Sequence, residues 1–359
     1  MAAPYKSITL GNYSQDSTRS RVLVIYTGGT FGMVYQSKGK QLVPFEFEYA
    51  LDYLPELHRL EREVVFLSLH QPIDSSDITP AIWAELGQII SDRYEQFDGF
   101  VILHGTDTMA FTASALSYLL EGLNKPVILT GAQLPVGIAR SDARENLLTA
   151  LEIAATRKDD GSPMVSEVCI FFNSLLLRGN RARKKETSQF NAFYSENYPV
   201  LANAGVRIDY NIPYLKPFEP GSRLKLHHRL DTNVFFVKLF PGIEPGIVRS
   251  IVATEGLKGI VLETFGAGNA PQAPQFVEAL ARAVQKGIAV LNVTQCEGGR
   301  VVQGQYGVSR RLAEIGVVGG SDITPEAAIT KLMFLLGRGY AYQELCGKLA
   351  KSLCGEMSA

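Results

Sequence analysis

The segment RVLVIYTGGTFGM, residues 21–33, shows the pattern on which the whole chain is built. Its first six residues, RVLVIY, are mostly apolar and β-branched, which is typical of a strand buried on both faces of a parallel sheet. A hydroxyl, two glycines, a second hydroxyl and a third glycine follow. In an open parallel sheet, ligands bind where strands end and helices begin, so small polar residues at a strand end indicate a binding site.

Further apolar runs of the same kind follow along the chain. They occupy residues 63–69, 99–105, 126–131 and 167–173. Amphipathic helical patterns lie between several of them, at residues 78–96, 108–123 and 141–157. This alternation of strands and helices predicts an α/β fold with a parallel sheet.

The length of 359 residues exceeds what one hydrophobic core usually covers, so we expect two domains. The pattern lapses at DYNIPYLKPFEPGSRLKLHHRLD, residues 209–231, whose prolines and basic residues favour a connection. A second series of apolar runs then occupies residues 234–242, 259–268 and 287–296. We predict a flexible tail over 1–20, a larger N-terminal α/β domain over 21–210, a linker over 211–231 and a smaller C-terminal α/β domain over 232–359.

The composition points to a small-molecule substrate rather than a large charged partner. The chain has 35 basic and 36 acidic side chains, a formal charge of -1, so no overall field favours nucleic acid or an anionic membrane. Residues 1–20 are polar and do not resemble a signal peptide, and no apolar stretch is long enough to span a membrane. We therefore expect a soluble, cytoplasmic protein.

The sequence predicts neither a metal nor a cofactor. The four cysteines form no CxxC pair and the five histidines lack the spacing of a zinc site. A nucleotide is the obvious competitor for a glycine loop after the first strand. However, TGGTFGM matches neither the dinucleotide pattern GxGxxG nor the phosphate-binding pattern GxxxxGKT, and GAGNAP at residues 266–271 is only a fragment of the former.

Thr30 is a candidate nucleophile at the end of the first strand. An alcohol resembles water, whose pKa is about 15.7, so outright deprotonation at neutral pH costs roughly 12 kcal/mol. A helix terminus supplies about 2 kcal/mol at best. A positioned base is therefore required, as for any serine or threonine nucleophile.

The cluster HGTDTM, residues 104–109, offers such an apparatus because Thr106 and Asp107 follow one predicted strand and precede a helix. Both side chains can point into a cleft, but either can instead cap the helix. The basic segment RGNRARKK, residues 178–185, is expected to be a solvated loop over most of its length.

The cluster IDSSD, residues 73–77, places two carboxylates around two hydroxyls. Asp74 and Ser75 can bind a zwitterion, because carboxylates accept from an ammonium group while a hydroxyl and backbone N–H groups donate to a carboxylate. The alternative is a capping loop for the next helix, which suits Asp77 and Thr79 better than Asp74 and Ser75.

The order of these motifs resembles that of the bacterial-type L-asparaginases, and most closely their cytoplasmic type I branch. The resemblance rests on YTGGT, DSSD, HGTDTM, TGAQ at 130–133, RGNR at 178–181 and GGSDITPEA at 319–327. It extends from about Arg21 to the C-terminal helices. It implies hydrolysis of L-asparagine to L-aspartate and ammonia by a two-domain α/β enzyme that forms a homo-oligomer, a dimer or a tetramer.

The resemblance also implies roles for single residues. Thr30 matches the nucleophile that forms an acyl-enzyme, and backbone N–H groups of its glycine loop are candidate oxyanion donors. Thr106, Asp107 and Lys184 match a second catalytic set. Asp74, Ser75, Thr106 and Asp107 match the substrate-binding positions, of which Asp74, Ser75 and Asp107 hold the amino-acid head.

The charge state of Lys184 is left open by the sequence. To take a proton through Thr106 the amine has to be neutral, which burial and the cations Arg181 and Arg183 would favour. Asp107 has the opposite effect, because it stabilises the charged ammonium.

The residue that assists Thr30 is a point where this chain departs from the family pattern. Many relatives carry a tyrosine about ten residues beyond the nucleophile, on a mobile lid that excludes water, whereas this position falls near Lys40 or Gln41 here. Tyr35 and Tyr306 are the alternatives, and we favour Tyr306, which matches a C-terminal tyrosine of cytoplasmic relatives.

Other functions and a second site stay open at this point. The alternatives are an amidase that acts on glutamine or another amide, a transfer-RNA amidotransferase subunit, and a non-catalytic amino-acid sensor. Some cytoplasmic relatives bind a second asparagine near the position of Cys296. Against such regulation here, Glu263 stands where some relatives place an arginine, and its carboxylate would repel that of the ligand.

Overall fold

The computed structural model describes residues 5–10, 20–35, 42–44, 53–60, 62–304 and 307–358. The chain divides into two compact units, Met1–His227 and His228–Ala359. The division lies within the segment 211–231 that we expected to be a linker. Its first part is packed on the first unit, where the backbone N–H of Lys216 donates to Glu167 Oε1 at 2.7 Å.

The first unit contains one large sheet and several short two-stranded pairs. Its strands are β1 (Tyr5–Leu10), β2 (Arg21–Gly28), β3 (Met33–Tyr35), β4 (Leu42–Pro44), β5 (Glu63–Ile73), β6 (Gly99–Leu103), β7 (Leu120–Glu121), β8 (Val127–Thr130), β9 (Val168–Phe172), β10 (Leu175–Arg178), β11 (Arg183–Lys184), β12 (Phe193–Tyr194), β13 (Ala202–Ala204), β14 (Ile208–Tyr210) and β15 (Lys225–Leu226). Its α-helices are α1 (Pro80–Asp92), α2 (Met109–Leu119) and α3 (Ala143–Ala155).

The large sheet has nine strands in the order β1-β5-β2-β6-β8-β9-β10-β13-β14. Its centre, from β5 to β9, is parallel and consists of the strands that the apolar runs predict. Both edges are antiparallel, which we did not predict. The tail expected over 1–20 is also wrong for Tyr5–Leu10, since β1 pairs with β5 along its whole length and the Tyr5 hydroxyl donates to Glu85 at 3.1 Å.

Strand β2 is buried on both faces, as its composition predicts. Val22 and Val24 lie in one core with residues of α3, whereas Leu23 and Ile25 lie in a second core with residues of α1 and α2. None of the four side chains has exposed surface, and the burial of each one stabilises the folded state by about 1.5–3 kcal/mol. Helices therefore cover the sheet on both sides and leave the carboxyl ends of its strands for the loops that carry polar residues.

The second unit is a smaller α/β unit, as expected. Its sheet has the order β16-β17-β18-β19 and is parallel throughout. Its elements are β16 (Val234–Lys238), α4 (Pro245–Val252), β17 (Gly259–Thr264), α5 (Pro274–Gln285), β18 (Ala289–Thr294), α6 (Gly307–Glu314), β19 (Val318–Gly319), α7 (Pro325–Gly337) and α8 (Tyr342–Leu349). Among the helices of both units, within the described residues, none has the length and apolar character needed to cross a bilayer.

Candidate active site

A cavity of about 230 Å³ opens at the carboxyl ends of four neighbouring strands, β5, β2, β6 and β8. Its lining consists of Gly29, Thr30, Met33, Asp74, Ser75, Gly105, Thr106, Asp107, Gln133, Lys184 and Thr187. This is the edge of the sheet where parallel α/β folds bind ligands. The volume lies below the range of about 300–1,000 Å³ for drug-sized ligands, so it suits a molecule as small as an amino acid.

Two glycines let the strand ends approach closely at this cavity. Gly29 has a φ of 84°, and a Cβ on it would lie 2.5 Å from the Cα of Gly105. A Cβ on Gly105 would in turn lie 2.5 Å from Ser75 Oγ. Side chains at either position would push β2, β5 and β6 apart, which explains the glycines in the loops after β2 and β6.

The two threonines of the TGGT loop have different surroundings. The Thr27 hydroxyl is buried and donates to the backbone carbonyl of Leu103 at 3.0 Å, so it joins β2 to β6. Thr30 begins a short 3₁₀ turn, is half-buried and lines the cavity. Of the two threonines, Thr30 is the one that lines the cavity.

Lys184 joins Thr106 and Asp107 in the same cavity. Its Nζ donates to Thr106 Oγ1 and to Asp107 Oδ1, each at 2.7 Å. The Lys184 side chain is 17% exposed and that of Asp107 66%, so Asp107 stabilises the ammonium while remaining open to solvent. Neither Thr106 nor Asp107 caps α2, whose cap residue is Thr108.

The segment that carries Lys184 is more buried than we expected. Arg178 pairs with Glu167 at 2.6 Å, with side chains 11% and 8% exposed, and its guanidinium lies over the Tyr198 ring. Arg181 is also buried and lies over the same ring. The prediction of a solvated loop over most of residues 178–185 is therefore wrong, because an acidic and an aromatic partner from distant segments cover these cations.

The DSSD loop after β5 supplies Asp74 and Ser75 to the cavity. Asp74 Oδ1 accepts from the backbone N–H and the hydroxyl of Ser76, both at 2.9 Å, so this carboxylate also orders its own loop. The backbone carbonyl of Ser75 accepts from the Thr108 hydroxyl at 2.7 Å, which ties the loop to the start of α2. With Asp74, Asp107 and Lys184, the lining carries two negative charges and one positive charge, which favours a ligand with an ammonium group.

A buried hydrogen-bond chain holds the turn before Thr106. His104 Nδ1 donates to the carbonyl of Gly105 at 2.7 Å, because a carbonyl can only accept. In the neutral ring Nε2 then accepts from the Thr112 hydroxyl, which accepts from Trp83 Nε1, both at 2.9 Å. Burial lowers the pKa of His104 to about 4, although the bond to Gly105 opposes this, so the ring is neutral near pH 7.

This neutral histidine is expected to make stability depend on pH. In the unfolded chain His104 binds a proton below about pH 6.5, whereas in the folded chain it does so only near pH 4. The free energy of unfolding is therefore highest above pH 6.5 and decreases as the pH falls from 6.5 towards 4. The full difference is about 3 kcal/mol. Urea unfolding between pH 4.5 and 8 should show this slope in the wild type and a shallower one in His104→Gln. The exposed His58→Gln is the matched control, and an unchanged slope in His104→Gln would contradict the prediction.

The residues proposed to assist Thr30 lie at the edge of the described segments or beyond them. Tyr306, Lys40 and Gln41 lie outside the described residues, so the choice of a helper for Thr30 stays a prediction. The backbone of Tyr35 lies in β3, which pairs with β4. Glu263 is buried and paired with Lys238 at 2.9 Å, so its charge is already compensated within the second unit.

Three lining side chains were not assigned a role from the sequence. These are Met33, Gln133 and Thr187. Gln133 stands in the quoted motif TGAQ, which is the signal that marked its position, whereas nothing in the sequence singled out Met33 or Thr187. In the part of the chain that the structure describes, no group of three His, Cys, Asp or Glu side chains is placed to hold a metal ion.

Comparison with protein families agrees with this geometry. The family model described as "Asparaginase, N-terminal" matches residues 21–215, and the model described as "Glutaminase/Asparaginase C-terminal domain" matches residues 233–347. The chain belongs to the asparaginase family. The similarity to L-asparaginase 1 of Escherichia coli strain K12 is 40% identity over 341 residues, which are 95% of this chain and 98% of the relative.

Two further known proteins show how wide the similarity is. The crystal structure of L-asparaginase I from Vibrio cholerae has a TM-score of 0.86 at 40% identity and covers 95% of this chain and 100% of that one. The 60 kDa lysophospholipase of Mus musculus is 40% identical over 94% of this chain and 62% of its own length. The resemblance to L-asparaginases of the type I branch, and with it the prediction of an enzyme, is confirmed.

Proposed function

We propose that the chain hydrolyses L-asparagine to L-aspartate and ammonia through an acyl-enzyme on Thr30. The observation that carries this proposal is that Lys184 Nζ lies 2.7 Å from both Thr106 Oγ1 and Asp107 Oδ1, in the cavity that Thr30 also lines. A nucleophilic hydroxyl and a proton-transfer chain in the lining of one small cavity are the two parts that amide hydrolysis requires.

The substrate head would be held by the DSSD loop and Asp107. The carboxylates of Asp74 and Asp107 attract the α-ammonium group, and the Ser75 hydroxyl can donate to the α-carboxylate. In this pose the side-chain amide faces the part of the cavity where Thr30 and Thr106 lie. The lining has one more negative than positive side chain, so it favours a zwitterion over an anion.

The first half-reaction forms an ester and releases ammonia. Thr30 Oγ attacks the amide carbonyl and loses its proton to a base, for which Tyr306 is our candidate. The amide nitrogen leaves as ammonia only after it gains a proton, and the Lys184 ammonium can supply one through Thr106. The C–N bond breaks as the Thr30 ester forms.

The second half-reaction returns the enzyme to its starting state. Water attacks the ester and gives its proton through Thr106 to the now neutral Lys184, while Thr30 recovers a proton from its base. Asp107 assists here because it stabilises the ammonium that forms again. Backbone N–H groups of the glycine loop are the proposed donors to the oxyanion, a contribution of about 3 kcal/mol for each donor.

The proposal is tested by incubating the purified protein with L-asparagine and measuring ammonia and aspartate, which should appear in equal amounts. Lys184→Met is expected to lower kcat by about 10²-fold or more, since it removes the group that exchanges protons. Lys185→Met is the matched control, because Lys185 is exposed and does not line the cavity. Absence of ammonia release by the wild type would refute the proposal.

Glutamine and other small amides are the alternative substrates. Glutamine is one methylene longer, which in a fitted pocket changes transition-state binding by about 1–3 kcal/mol. Parallel measurement of kcat/KM for both amino acids decides between them. Retained aspartate binding without turnover of any amide would instead favour an amino-acid sensor. The cytoplasmic location and the homo-oligomer stay predictions from the resemblance.

A further inference from the structure

Gln133 stands in a chain of hydrogen bonds that runs from the backbone of Gln189 to Thr106 and Lys184. Its Nε2 donates to the backbone carbonyl of Gln189 at 2.9 Å, and its Oε1 accepts from Thr106 Oγ1 at 3.4 Å. A backbone carbonyl can only accept, so the amide nitrogen has to face Gln189. The amide oxygen consequently faces Thr106.

The direction continues from Thr106 to Lys184. In the charged form that the proposed first half-reaction requires, Lys184 can only donate, so Thr106 Oγ1 accepts from it at 2.7 Å and the single hydrogen of Thr106 is directed elsewhere. The oxygen of Gln133 receives it. The Thr106 oxygen has two lone pairs, and Lys184 occupies one of them. Because Thr106 lines the cavity, the second lone pair is available to a ligand there.

The backbone of Gln133 is held firmly in place. Its N–H donates to both carboxylate oxygens of Asp142 at 3.0 Å, and the N–H of Leu134 donates to the same carboxylate at 3.1 Å. Asp142 also accepts from Asn146 Nδ2 at 3.1 Å, on the first turn of α3. The amide of Gln133 therefore extends from a rigid anchor.

We propose that Gln133 is a positioning residue for the hydrolysis, which orients the Thr106 hydroxyl so that it can pass protons between Lys184 and the cavity. This inference rests on the proposed function. The 3.4 Å bond is long and hence weak, so the leaving nitrogen of a substrate can replace Gln133 as the acceptor of the Thr106 hydrogen. Gln133 acts through Thr106 and needs no contact with substrate.

Two substitutions of similar size separate this role from a structural one. Gln133→Met removes both hydrogen bonds and is expected to lower kcat about tenfold at every pH, with KM changed less than about twofold. Gln133→Glu reproduces the amide pattern only when protonated, because the acid then donates to Gln189 and accepts from Thr106. The ratio of its kcat to that of the wild type should therefore rise as pH falls from 8 to 4.5.

The matched control is Gln88→Glu, which adds a carboxylate at an exposed position on α1. The ratio of its kcat to that of the wild type should not change with pH. The pH dependence that His104 gives to stability cancels in this ratio, because every variant retains this histidine. A wild-type kcat in Gln133→Met, or a flat ratio in Gln133→Glu, would overturn the inference while the wild type still released ammonia. A wild type without ammonia release would remove the proposed function and this inference together.

Discussion

Thr30→Ala is expected to abolish ammonia release from L-asparagine, with a loss in kcat of about 10⁴-fold or more. The substitution removes the oxygen that forms the proposed ester. Thr27 cannot replace it, since its hydroxyl is buried and bonded to Leu103. The loss is measured as ammonia released per enzyme at saturating asparagine.

Further measurements show whether the substitution removes the chemical step or the binding of substrate. Thr30→Ser keeps a hydroxyl and should retain measurable turnover, and after rapid acid quenching the wild type should carry an aspartyl mass on the peptide that contains residue 30. Aspartate should still bind to Thr30→Ala, because Asp74, Ser75 and Asp107 are intact. Thr254→Ala, at an exposed position of the second unit, is the matched control. A Thr30→Ala enzyme with wild-type turnover would exclude the acyl-enzyme.

Lys331→Met should destabilise the protein by about 3–5 kcal/mol, the largest expected effect on folding. Lys331 on α7 is completely buried and pairs with the equally buried Glu356 at 2.7 Å. Its other two donors are bonded to the carbonyls of Leu349 and Lys351 at 3.1 and 2.6 Å. Methionine has a similar length but leaves the carboxylate of Glu356 buried without its cation.

The free energy of unfolding in urea measures this effect. Lys331→Met combined with Glu356→Gln should recover part of the loss, because the uncompensated charge is then absent. Lys348→Met is the matched control, since its ion pair with Glu344 is at 3.7 Å with side chains 36% and 54% exposed, and pairs in contact with solvent contribute about 0–1 kcal/mol. A Lys331→Met protein as stable as this control would show that the buried pair does not stabilise the fold.

The strands that are buried on both faces were predictable from the sequence. Apolar runs such as residues 21–26 and 99–105 become central parallel strands because only a strand covered on both faces is apolar at consecutive positions. The edge strands were missed, because Tyr5–Leu10 and Ala202–Ala204 are short or mixed in polarity and form by pairing with distant partners. Neither the burial of Arg178 nor its partner Glu167 can be read from the basic segment that contains it.

In the candidate site, too, some residues were predictable from the sequence and others were not. Local motifs and the family resemblance singled out Thr30, Asp74, Ser75, Thr106, Asp107 and Lys184, and all six line one cavity. No motif predicts that the Thr106 hydrogen is directed to Gln133 or that Thr187 lies in the wall. These depend on which strand ends lie side by side.

The sequence by itself determined the buried strands, the helices between them and the chemical types of residue placed at the strand ends, because hydrophobic periodicity and motif order are local properties of a chain. Only the tertiary structure decided which threonine lines the cavity, which acid accepts from Lys184 and which side chain accepts from Thr106. The physical reason is that a hydrogen bond needs two groups within about 3 Å at a suitable angle, and strand order in the sheet brings together groups far apart in sequence.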